Sequence, residues 1–216
     1  MVCQRFFKRE IIYWTTLLFV VSGCATVTMP NVGEKGYERQ DDERRLYKRA
    51  EELSEVIDES GTIYNNQELE TYITHLANSL LPENIKKDGL TISVKIINDP
   101  SLNAFSLPNG RIYIHTGMLA VMDNQTQLAT LLGHEMTHII NRHALKQFRS
   151  LTNKSAFLSV ISLPIGIAGG ELATVFTQLA TISSIYGYSQ NLEFEADDLG
   201  LQMLIDHGYE IGRAHV

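Results

Sequence analysis

The stretch His134-Glu135-Met136-Thr137-His138 constrains this chain more than any other. On an α-helix, positions i and i+4 lie about 40° apart around the axis and one turn along it, so the two imidazoles face one point. Glu135, one residue on, is turned by about 100° and can reach that neighbourhood as a base without being a ligand. Two neutral imidazoles leave a zinc ion under-coordinated, and a catalytic site needs a third protein ligand beside an open position. The chain must therefore bring in another His, Asp or Glu from a second element.

Glu193-Phe194-Glu195-Ala196-Asp197 offers one, on a helix read from about Leu192 to Asp206. Glu195, Asp198, Gln202 and Asp206 recur at spacings of three and four and form a polar stripe expected to face solvent. Glu193, Ala196, Asp197, Gly200 and Leu204 form a different stripe, in which Ala196 and Gly200 permit close helix–helix approach. Acids on an inward face need a partner to offset desolvation. Glu193 as third ligand meets that need, with Asp197 one turn on orienting a ligand histidine. The site so read is His134, His138 and Glu193 around one Zn2+ per chain, Glu135 as catalytic base and Asp197 in support.

The N-terminus is set aside from the fold. Arg5, Lys8 and Arg9 precede an apolar run from Ile11 to Val21, and Ser22-Gly23-Cys24 follows. That run is shorter than the about 20 apolar residues of a membrane span. Residues 1–23 read as a signal peptide, and Val21-Ser22-Gly23-Cys24 resembles a bacterial lipobox, which implies cleavage before Cys24 and its lipidation. An uncleaved anchor helix is the other reading. Both put the domain outside the cytoplasm, on the periplasmic side of a membrane. Ala25 after the cysteine, where an inner-membrane retention signal has Asp, favours the outer membrane by the same resemblance. With Cys3 removed and Cys24 lipidated, the mature chain has no disulfide.

Residues 24–36 read as a tether, with Pro30, Gly33 and Gly36, and 37–209 as one domain. A charged helix from Tyr37 to Ser60 carries Leu46, Ala50, Leu53 and Ile57 at helical spacing and ends at Gly61. A second runs from about Asn66 to Leu81, with Leu69, Tyr72, Ile73, Leu76 and Leu80 on one side and Pro82 closing it. Strands are expected at about 91–97, 103–107 and 111–115, forming a small antiparallel sheet; Asn109-Gly110 is a hairpin-turn signal. One long helix is expected from Asn124 to about Phe148, with Leu128, Leu132, Met136, Ile139 and Ile140 as its core stripe. The class is α+β, mainly helical, with the sheet beside the active-site helix. Residues 156–182 are apolar and rich in small residues, and read as a buried helix or hairpin, or as a lid or membrane-contacting segment. A net charge of −7 argues against nucleic acid as a partner.

Asn103-Ala104-Phe105-Ser106-Leu107-Pro108-Asn109-Gly110, the helix from Leu131 to His143 and Glu193-Phe194-Glu195-Ala196-Asp197 together resemble the HtpX and prenyl-endopeptidase-type family of zinc metallopeptidases. Within that gluzincin family the chain resembles the lipoprotein and periplasmic branch of BepA-type protease–chaperones more than the integral membrane proteases. The resemblance covers about Tyr37 to Tyr209. It implies a zincin-like domain, the same ligands and base, and an edge strand at Asn103, Ala104 and Phe105 along which a peptide lies extended. It also implies peptide-bond hydrolysis of unfolded or misassembled envelope proteins, in quality control. An envelope-assembly chaperone or binding module with an idle or gated zinc site is the alternative, and a purely structural zinc site a third. Two departures stand out. Gln190 follows Ser189 where many relatives carry Arg. Glu210 to Val216 reads as a non-native tail on a truncated domain, with the native sequence diverging at about residue 210. No oxyanion donor is assigned: Tyr188, His143 and Arg142 lie near in sequence, each with a structural reading.

Overall fold

The computed structural model describes residues 41–150 and 188–210, together with Asn31. The signal, lipobox and most of the tether, the apolar segment 156–182 and residues 211–216 lie outside the described residues. Among the described residues no helix is long and apolar enough to cross a membrane.

Helix α1 (Asp41–Glu59) buries Leu46, Ala50, Leu53 and Ile57, the stripe expected of it, and its first turn carries Asp41, Asp42 and Glu43 where the helix dipole favours negative charge. Gly61, at φ 73°, turns the chain out of it. Helix α2 (Gln67–Leu80) starts where Asn66 accepts the Leu69 N–H through its side chain at 3.1 Å. Ile73, Leu76, Ala77 and Leu80 are its buried face; Tyr72, expected there, is 48% exposed. Glu70 takes the flank instead, buried against Lys95 Nζ at 2.9 Å. A short helix α3 (Glu83–Lys87) follows, which the apolar pattern did not signal.

Three strands form the sheet: β1 (Ser93–Ile97), β2 (Ala104–Ser106) and β3 (Arg111–His115), in the order β1-β3-β2. It is mixed, not antiparallel as expected. β2 and β3 pair antiparallel across the Leu107–Arg111 turn, where Gly110 takes φ 90°. β1 and β3 run parallel, Val94 opposite Ile112. The reason is topological: two reversals separate β1 from β3, and β3 lies between β1 and β2.

Alternation then sorts side chains to two layers. Val94, Ile96, Ile112 and Ile114 pack against α2 and the site helix, while Ile97 and Tyr113 pack against α1. The outer edge of β1 is covered: Thr74 Oγ1 accepts the Val94 N–H at 3.1 Å, the Asn78 side chain bridges Ile92, and Ile63 bridges Ile97. Asn103 and Leu107 bond to β3 through His115 and Arg111, so alternation turns the N–H and C=O of Ala104 and Ser106 away from β3, along the other edge.

After a short helix α4 (Thr116–Ala120), α5 (Gln125–Ile140) is capped by the Asn124 side chain on the Gln127 N–H. The single helix expected to Phe148 is broken. Arg142 sits at φ 57°, and α6 (His143–Ser150) begins after it. A left-handed residue other than glycine costs about 1–2 kcal/mol. The compensation is a buried ion pair in which Arg142 Nε donates to Glu43 Oε1 at 2.8 Å and its other nitrogen binds the second oxygen. Helix α7 (Gln190–Asp206) completes the fold and packs along α5.

Candidate metal centre

The site is built by two glycines. An ideal Cβ on Gly200 of α7 would stand 2.9 Å from both Gly133 C and His134 N, and one on Gly133 would stand 3.0 Å from Gly200 O. Helices α5 and α7 are therefore in backbone contact at the Gly133–His134 peptide itself. Ala196 is buried in the same seam. Gly200 and Ala196 were legible as a close-approach face; Gly133, on the facing helix, was not singled out.

That contact brings His134, His138 and Glu193 together. His134 Nε2 lies 3.0 Å from His138 Nε2 and 3.4 Å from Glu193 Oε2, and His138 Nε2 lies 3.9 Å from the same oxygen. Ligand atoms about 2.0–2.1 Å from one tetrahedral zinc stand about 3.3 Å apart, so the triangle has the size and donor set that zinc asks for. Among the described residues this is the one group of three or more such side chains placed to hold a metal.

The environment favours ligation. Burial first, then His134 and His143 beside it, pushes the His138 imidazole down to about 2, which keeps it in the neutral form that binds metal. Tyr188 stacks on that ring, centroids 4.0 Å apart and 13° from parallel. His134 places Nδ1 2.8 Å from Asp197 Oδ1, the carboxylate–histidine contact that fixes a ligand's tautomer and orientation. Neither acid is buried: the Asp197 side chain is 69% exposed and that of Glu193 41% exposed. The stripe is therefore split: Ala196, Gly200 and Leu204 are buried against α5 as expected, while the two acids expected to be buried with them stand at its exposed margin.

Glu135 is buried. Desolvation raises its pKa, the neighbouring His134 and a hydrogen bond from Ser106 oppose that, and the Glu193 charge adds to it. Ser106 comes from β2, so the strand whose outer backbone edge has no strand partner among the described residues also holds the carboxylate beside the candidate ligands. Ser106 was missed because its orientation depends on strand register. Asn103 gives its carbonyl to the His115 N–H, and the Phe105 ring stacks on Tyr113 at 5.2 Å. Of Asn103, Ala104 and Phe105, only Ala104 thus turns its backbone outward; Ser106 is its companion.

Glu195, expected at the solvent face, instead accepts from Asn141 Nδ2 at 2.7 Å and Lys146 Nζ at 3.1 Å. The helix break after α5 is what presents those two donors. Arg142 is held by Glu43, away from any oxyanion role. A small cavity of about 20 Å³ opens beside His138, lined by Leu46, Leu107, Leu145 and Tyr188 together with the Glu43 and Arg142 pair.

Comparison with known proteins agrees with this geometry. The sequence is 30% identical to the mitochondrial metalloendopeptidase OMA1 of Arabidopsis thaliana over 127 residues, which is 57% of this chain and 24% of that protein. It is 31% identical to the beta-barrel assembly-enhancing protease of Escherichia coli over 121 residues, 53% of this chain and 25% of that protein. The matched region spans about a quarter of the length of these relatives. The profile of peptidase family M48 matches residues 64–215, which takes in the sheet, α5 and α7. The chain belongs to peptidase family M48.

Proposed function

We propose that this domain is a zinc-dependent endopeptidase of the cell envelope. His134, His138 and Glu193 hold the ion, and their convergence beside the buried carboxylate of Glu135 is the observation that carries the reading. Zinc bound there supplies a Lewis acid for the scissile carbonyl and brings the pKa of water toward about 7. Glu135 would serve as the general base toward the attacking water and hand the proton to the leaving amine, with Ser106 fixing the carboxylate. Asp197 holds the His134 ring. The outward N–H and C=O groups of Ala104 and Ser106 pair with an extended substrate backbone, as an added strand.

The substrates we propose are unfolded or misassembled envelope proteins, with the domain tethered through lipidated Cys24 on the periplasmic side of the outer membrane. The lipobox-like Val21-Ser22-Gly23-Cys24 supports the tether, and the likeness to an assembly-enhancing protease supports the substrate class. Cys24→Ala should abolish incorporation of labelled fatty acid and release the chain from membranes; unchanged labelling would remove the anchor.

The name of that relative, which speaks of assembly, also favours a second reading in which the domain assists assembly with an idle site. Glu135→Gln separates the two. It should keep one zinc per chain while cleavage of an unfolded protein falls by about 10²–10⁴-fold. Full cleavage by the variant, or none by the wild type, would overturn the peptidase reading.

A further inference from the structure

His143 lies immediately beyond the helix break and is completely buried. His138 directs Nε2 at His134 and Glu193, so with Nε2 on a metal its proton sits on Nδ1. That Nδ1 is 2.8 Å from His143 Nδ1, which must then accept. A neutral imidazole that accepts at Nδ1 carries its own proton on Nε2. His143 Nε2 is buried with no hydrogen-bond partner at ordinary length, and the group it faces is Glu195 Oε1, 3.6 Å away. The same oxygen receives Asn141 Nδ2 and Lys146 Nζ.

We propose that His143 and Glu195 are positioning residues for the metal centre, a relay in which His138 Nδ1–H donates to His143 and His143 Nε2–H points at the Glu195 carboxylate. The proposal rests on the zinc reading above. The two histidine ligands are then supported differently. His134 meets a carboxylate directly, in the exposed Asp197. His138 is too deep for that, and an imidazole spans the gap to a carboxylate at the surface. Donation from Nδ1 locks the ring and makes Nε2 a stronger ligand, and losing such a support typically weakens metal binding about 10- to 100-fold. Neither residue reaches substrate, so both act through His138. The break at Arg142 is what makes the relay possible: a continuous α5 would set His143 at i+5 from His138, on another face of the helix.

The test is zinc affinity by chelator competition on the wild type, His143→Phe, Glu195→Ala, Glu195→Gln and the double variant His143→Phe with Glu195→Ala. His143→Phe and Glu195→Ala should each weaken zinc about 10- to 100-fold. The double variant should lose no more than the larger single loss, because the relay fails at either link. Glu195→Gln, which keeps a carbonyl acceptor, should recover part of the affinity. Long-range 1H–15N spectra of the histidine-labelled, zinc-loaded protein should place the His143 proton on Nε2. Glu195 is partly exposed, so its variants report even where His143→Phe misfolds. Wild-type affinity in Glu195→Ala, additive losses in the double variant or a His143 proton on Nδ1 would each overturn the relay alone. A wild type that binds no zinc would overturn it together with the reading beneath it.

Discussion

Ser106 carries the clearest consequence at the scale of one residue. Its hydroxyl is the hydrogen-bond donor set against desolvation at Glu135. Ser106→Ala should leave the zinc content unchanged and lower kcat about 5- to 10-fold, the worth of roughly 1–1.5 kcal/mol for one hydrogen bond, read with a fluorogenic peptide. An unchanged kcat would mean that Glu135 needs no such support. His115 gives a pH effect. Burial lowers its pKa from the ordinary 6.5 against the opposing pull of Asp99, and its Nε2 is buried without a partner. The folded state therefore binds fewer protons than the unfolded one just below that pH, so stability falls as pH drops through about 6.5 and on toward the folded pKa. Urea midpoints of the apo-protein at pH 7.5 and 5.5 should show that loss, and His115→Gln should shrink it. At this scale His134, His138 and Glu193 were legible because each sits in a helix, where spacing alone assigns a face. His143 was not: it meets His138 across a break that the apolar stripe Ile139-Ile140 does not announce.

The seam between α5 and α7 is where the site is made or lost as a pair of elements. Gly200→Ala places a Cβ 2.9 Å from the Gly133 and His134 backbone, which cannot yield as a side chain would. Helix α7 must move, at a cost of about 1–3 kcal/mol, and Glu193 moves with it. The expected outcome is a lower midpoint in urea together with weaker zinc binding; a loss of stability with wild-type zinc affinity would detach Glu193 from the seam. Helix existence was readable from the stripes on α1, α2, α5 and α7, and so was each strand, from alternation. Strand order was not, because Val94 and Ile112 read alike whether paired parallel or antiparallel. The direction of the β1–β3 pair comes from chain reversals at 98–103 and 107–111, which local pattern leaves open. Tyr72 strayed for a related reason: it borders the buried face of α2, where the burial of Glu70 against Lys95 settles which flank is covered.

Over the whole molecule, α1 closes the sheet on one side and reaches the break after α5 and helix α6 through two ion pairs. Glu43 binds Arg142, and Asp42 takes Arg149 at 2.7 Å. Glu43→Ala leaves a buried guanidinium without that carboxylate and should cost about 3–5 kcal/mol. For a chain of this size that is about 6–20 °C in Tm. Asp42→Ala, at a partly exposed pair, should cost under about 1 kcal/mol. Comparable Tm losses in the two variants would show that burial is not what gives the Glu43 pair its weight. The one long-range link that sequence spacing could suggest was between α5 and α7, because a two-histidine site needs a third ligand; nothing comparable pointed from Glu43 to Arg142, 99 residues apart. The metal centre stands or falls on that α5–α7 link. Zinc titration with a competing chelator tests it most directly, on the wild type, Glu135→Gln and Glu193→Ala. The prediction is one ion per chain in the wild type, the same affinity within a few-fold in Glu135→Gln, and binding at least about 100-fold weaker in Glu193→Ala. Zinc held as tightly by Glu193→Ala as by the wild type would contradict it.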